Sequence, residues 1–159
     1  MTDAGRDAGI NDPLVGAWTF SGRQSAGTTI TLTVNPDKTF YWLQRNAPPF
    51  SCNAGSTCPL CFMTNAFSAS YVESVADDRN ELTWTFLHGT KGVVVDCTPA
   101  SLEMAGTPMT TEDVDPYITK GLVPPTSVIY AVTQSEVVFY AIVADTQPSA
   151  MVTFTKVAK

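Results

Sequence analysis

The 159-residue chain predicts an all-β protein, an antiparallel up-and-down β-barrel of about eight to nine strands with one short helix in a loop. Three observations predict it. Apolar and polar residues alternate with period two, as in Thr29-Ile30-Thr31-Leu32-Thr33-Val34, where Ile30, Leu32 and Val34 share one face and the threonines the other. Threonine, other β-branched residues and aromatics fill these runs, and all suit a pleated, half-buried surface. Short clusters of turn residues separate the runs at hairpin spacing.

Taken in order, strands are expected near 14–21, 28–34, 38–44, 66–74, 81–88, 92–98, 126–133, 136–143 and 150–157. Asn35-Pro36-Asp37, Asp77-Asp78-Arg79-Asn80, His88-Gly89-Thr90-Lys91-Gly92 and Thr133-Gln134-Ser135 read as the turns of hairpins. In 81–88, Leu82, Trp84, Phe86 and His88 fall on one face. Two stretches interrupt the meander. Residues 45–62 carry Pro48, Pro49 and three cysteines and read as a long ordered loop. Residues 107–125 carry four prolines and a short helix signal, with Asp115 as N-cap, Pro116 as first helical residue and Gly121 as the stop. A meander of this many strands must deal with its edges, and closure into a barrel removes them where a sandwich leaves some.

The opening residues strengthen the barrel reading. Leu14-Val15-Gly16-Ala17-Trp18, followed by a strand and then by Asp37-Lys38-Thr39-Phe40, resembles the start of lipocalin-like barrels. Gly16 and Trp18 match the G-x-W element of that group. Asp37, Thr39 and Phe40 match its "DGTF"-like turn, with Lys38 where the glycine stands. The resemblance implies a calycin-type barrel whose base is closed by Gly16 and Trp18, with a small hydrophobic ligand in its cavity. It covers about a third of the chain, and the further lipocalin motifs are missing, which would make this an outlying member.

Composition narrows the partners. Hydrophobic residues make up 44% and charged residues only 15%, enough apolar material for one core and too much for whole-chain disorder. A net charge of −6 excludes the basic footprint a nucleic-acid partner needs and disfavours an anionic membrane surface. No run approaches the ~18 apolar residues of a membrane span. Residues 1–12, with Asp3-Ala4-Gly5 repeated as Asp7-Ala8-Gly9, read as a flexible N-terminal tail before a single barrel domain at 13–159. The repeat resembles the spacers behind the lipidated cysteine of bacterial lipoproteins, which implies an extracytoplasmic protein, periplasmic or at the cell surface, on a lipid tether. A ragged cytoplasmic terminus is the plainer alternative.

Cys52, Cys58, Cys61 and Cys97 fit two structural disulfides of an exported chain, with connectivity open. Four free thiols, a four-cysteine zinc site or a redox pair at Cys58 and Cys61 are the alternatives, and no metal or cofactor is expected. His88 is the only histidine and a candidate general base if it faces inward; at a strand end it is more ordinarily half-exposed. Asp96 is a candidate buried acid, and Glu112, Asp113 and Asp115 suit a helix N-terminus better than a calcium site. A candidate cavity lining comprises Phe40, Trp42, Trp84, Phe86, His88, Tyr130 and Phe139, with Tyr41, Tyr130, Arg45 or His88 as polar handles. The leading functional expectation is binding of a small hydrophobic molecule. A barrel isomerase or cyclase and an interaction module with a filled core are the rivals.

Overall fold

A computed structural model describes residues 12–22, 28–50, 61–95, 107–141 and 150–158. In chain order the elements are β1 (Gly16–Phe20), β2 (Thr29–Val34), β3 (Thr39–Phe50), β4 (Cys61–Ala76), β5 (Arg79–Val95), the two-residue β6 (Thr107–Pro108), α1 (Thr111–Thr119), β7 (Ser127–Val132), β8 (Glu136–Ala141) and β9 (Ala150–Lys156). Each long strand pairs antiparallel with the next, β5 taking β7 as its second neighbour. β9 returns to β1 through Trp18↔Lys156, Thr19↔Thr155 and Phe20↔Phe154. This seam closes an eight-stranded barrel, and β6 lies outside it against Thr90 and Lys91. The fold class expected from the alternation is therefore the one observed.

The period-two pattern explains the core. Ile30, Leu32 and Val34 are buried, whereas Thr29, Thr31 and Thr33 keep exposure on the outer face. Facing them across the axis are Val128 and Tyr130 of β7, Val137 and Phe139 of β8, and Val152 and Phe154 of β9.

Two expectations are corrected. The strands anticipated at 81–88 and 92–98 are one strand, β5, and His88–Gly92 is not a turn. The ladder passes from Ala69↔Phe86 to Ser68↔His88, leaving Leu87 as an extra residue, and from Asn65↔Lys91 to Thr64↔Val93, leaving Gly92 as another. Glycines inside a strand mark bulges and close backbone approaches as readily as turns. The expected loop at 45–62 is likewise strand on both sides, through Phe50 and from Cys61; residues 51–60 lie outside the described residues.

The helix begins earlier than its proline suggests. Thr110 is the N-cap, its backbone N–H donating to the Asp113 carboxylate at 2.8 Å and its hydroxyl to the same oxygen at 3.1 Å. Pro116 sits inside the helix rather than at its start, which removes one backbone hydrogen bond. Gly121 ends it as expected. With φ +70 it lets its own N–H reach the Ile118 carbonyl and the Leu122 N–H reach the Tyr117 carbonyl, a Schellman pair.

Asp113 also receives Lys91 Nζ at 2.6 Å, which fastens α1 to β5. The Lys91 hydrogen bond, then the Thr110 backbone N–H, hold its carboxyl down at about 2, below the ordinary 3.8. A depressed carboxyl stabilises the fold above its unfolded value and loses that contribution as pH falls through the folded value. The difference in Tm between the native protein and Asp113→Asn is therefore expected to hold from pH 7 to about 4 and shrink as pH approaches 2. A pH-independent difference would refute the ion pair's role.

Candidate functional site

The candidate site is the barrel axis and the two plugs that close it. An aromatic column fills the middle. Phe67 is its hub, with ring centroids 5.4 Å from Trp42, 5.9 Å from Phe40, 5.7 Å from Trp84 and 6.0 Å from Phe86. Offset and edge-on contacts in this range each add roughly 0.5–1.5 kcal/mol beyond area burial.

The mouth plug is the segment Met109–Pro125, which is not part of the wall. Met109 N–H donates to the Gly89 carbonyl at 2.8 Å, and Met109, Val114 and Val123 are buried. Tyr117 of α1 lies over Trp42 at 5.0 Å. Both indoles donate to the plug: Trp42 Nε1 to the Leu122 carbonyl at 3.2 Å, and Trp84 Nε1 to the carbonyls of Pro124 and Pro125 at 3.2 and 2.9 Å. Beside the mouth, Gln44 and Asn65 are buried and bonded to each other at 3.3 Å.

The base plug is Leu14, whose carbonyl accepts from Trp18 Nε1 at 2.8 Å. Gly16, at φ +143, brings the strand against Lys156, whose Nζ lies 4.9 Å over the Trp18 ring. Lys38, standing where the lipocalin-like turn has glycine, adopts the left-handed conformation at φ +63. Its ammonium bonds Asp12 at 2.6 Å and Glu73, and Tyr130 Oη donates to the other Glu73 oxygen at 2.6 Å. Burial opposes the Lys38 charge, but the hydrogen bonds to Asp12 and Glu73 outweigh it and raise its pKa. Asp12, assigned to the tail from composition, is anchored here and also caps the Leu14 N–H at 2.9 Å; residues 1–11 lie outside the described residues.

Between the plugs lies a void of about 20 Å³, lined by Leu14 and Val34 at the base, Pro124 at the mouth, and Phe40, Tyr71, Trp84 and Phe139 among the residues between. By this measure a void needs at least ~10–15 Å³ to hold one water.

Of the seven expected lining residues, Phe40, Trp42, Trp84, Tyr130 and Phe139 are buried on the axis and Phe86 is half-buried beside them. His88 is not on this face. The bulge at Leu87 reverses the side-chain alternation, and the imidazole is exposed. Among the expected polar handles, Tyr41 is on the outer face and 41% exposed, Arg45 shares its strand parity, and Tyr130 is occupied by Glu73. The sequence reading missed Phe67, Tyr71, Lys38 and Glu73. The alternation Phe67, Ala69, Tyr71, Glu73 was available in β4 and would have found three of them. Cys52, Cys58, Cys97 and Asp96 lie outside the described residues; Cys61 begins β4, its backbone opposite Phe50.

These features define a closed eight-stranded antiparallel barrel with one helix among the described residues, an architecture consistent with a lipocalin-like fold. Comparison with known protein families, with curated proteins and with solved structures finds no match. Among the described residues no helix is long and apolar enough to cross a membrane, and no group of three or more His, Cys, Asp or Glu is placed to hold a metal ion.

Proposed function

We propose that this protein binds one small hydrophobic molecule on the barrel axis, admitted when the Met109–Pro125 plug moves away from Trp42 and Trp84. The observation that carries the reading is the axial void, apolar and aromatic around nearly its whole lining and closed at the mouth by a segment outside the wall. At about 20 Å³ the void has to grow to admit an organic ligand. The plug is the part that can yield, because the indole bonds, one backbone bond, the Lys91–Asp113 ion pair and the Tyr117 ring on Trp42 hold it rather than a ladder. The protein is further proposed to be exported, tethered by its N-terminal segment, with its four cysteines in disulfides.

Titration with N-phenyl-1-naphthylamine tests the binding. Saturable one-to-one fluorescence enhancement, competed by an apolar molecule co-purifying in native mass spectrometry, is the expected result. No saturable binding would sink the reading and leave the second one, an interaction module with a filled core, which the small size of the void favours. Intact mass of unreduced protein reads the cysteines: about four hydrogens fewer than the reduced chain supports disulfides and export, and full thiol content removes that argument.

A further inference from the structure

Behind the apolar lining of the void lies one loose end. Tyr71 is 3% exposed, its ring lines the void, and its hydroxyl has no hydrogen-bond partner among the described residues. A buried polar group left unpaired costs about 1–3 kcal/mol, so one carried by a ring that lines a void marks where an occupant that widens the void gains a partner. The neighbouring hydroxyl, Tyr130 Oη, is already bonded to Glu73.

The charges around Tyr71 restrict what that occupant can be. Lys38 Nζ lies 5.4 Å from the Tyr71 ring centroid, but its charge is shared between Asp12 and Glu73, two carboxylates to one ammonium. The charges next to Tyr71 are thus two carboxylates to one ammonium, and Lys38 is not free for a bound anion; the other cation described at the base, Lys156, is placed over the Trp18 ring instead.

Resting on the reading of the barrel as a binding protein, we propose that its ligand is a neutral apolar molecule with one terminal oxygen, an alcohol or a ketone. Its chain lies along the aromatic column and its oxygen pairs with Tyr71 Oη at the base. A fatty carboxylate is selected against, because its charge would be buried beside Asp12 and Glu73 without a partner. Burial, followed by the charge of Asp12, pushes the Tyr71 hydroxyl above its ordinary pKa, so it remains an intact donor at neutral pH.

The test is displacement of N-phenyl-1-naphthylamine at pH 7 by 1-decanol, 2-decanone, decanoate and decane, on the native protein and on Tyr71→Phe. Decanol and decanone are expected to bind at least about tenfold tighter than decanoate. Tyr71→Phe is expected to weaken the two oxygenated ligands about 3- to 10-fold and to leave decane unchanged. Because the hydroxyl is unpaired in the free protein, Tyr71→Phe is expected to melt at or above the native Tm. Decanoate binding as tightly as decanol, or a Tyr71→Phe variant that binds all four ligands like the native protein, overturns the inference while leaving the binding reading intact. Failure of every compound to displace the probe sinks both. A Tyr71→Phe variant that melts several degrees lower means the hydroxyl is satisfied within the protein, and overturns the inference as well.

Discussion

Trp18→Ala is expected to cost about 3–5 kcal/mol of stability, measured by urea denaturation. The indole is fully buried at the base, so truncation leaves a cavity in a core that has little slack. Trp18 also sits on the seam where β9 meets β1, which holds only three register pairs. There it pairs with Lys156 on one side and Leu32 on the other, and Lys156 Nζ lies over its ring. Its Nε1 bond to the Leu14 carbonyl fixes the chain entering the barrel, so truncation also loosens the base plug. Trp18→Phe keeps an aromatic body and loses the N–H, and is expected to cost about half as much. A loss below about 1 kcal/mol for the alanine variant would mean that Trp18 does not close the base.

What could be read from the sequence divides by the range of the signal. The faces of β2, β3 and β8 were legible because alternation is local: Ile30, Leu32, Phe40, Trp42 and Phe139 fall where period two puts them. The helix stop was legible because Gly121 carries its own conformational reason. The helix start was not. Proline is common at a first helical position, so Pro116 drew the start away from the local Thr110–Asp113 capping box, which the pairing of Asp113 with Lys91 reinforces. The site was legible as an aromatic lining and illegible in its polar part. Lys38, Glu73, Tyr130 and Asp12 come from four separate stretches, and only closure of the barrel brings them together. Tyr71 stands out because of a bond it does not make, and no sequence pattern encodes that.

The same limit decides the second large effect. Gly89→Ala is expected to cost about 2–3 kcal/mol, although glycine in a strand is ordinarily improved by a side chain. A Cβ at Gly89 would stand 2.6 Å from the Ala66 carbonyl oxygen, 2.7 Å from Phe67 Cβ and 3.0 Å from Phe67 Cα. Two of those atoms are β4 backbone, so relief requires the β4–β5 ladder to open rather than a side chain to swing. The shift would reach the Gly89 carbonyl, which holds Met109 of the mouth plug, so the variant is also expected to take up N-phenyl-1-naphthylamine faster. The adjacent His88→Ala should stay within about 0.5 kcal/mol of the native protein and leave probe binding unchanged, because its imidazole is exposed. One residue of bulge at Leu87 separates these outcomes: it turns His88 to solvent and brings Gly89 against Phe67, the hub of the aromatic column. If instead His88→Ala impaired binding and Gly89→Ala were neutral, the strand would run through position 87 without a bulge. His88 would then return to the axis as the base that an enzyme reading requires.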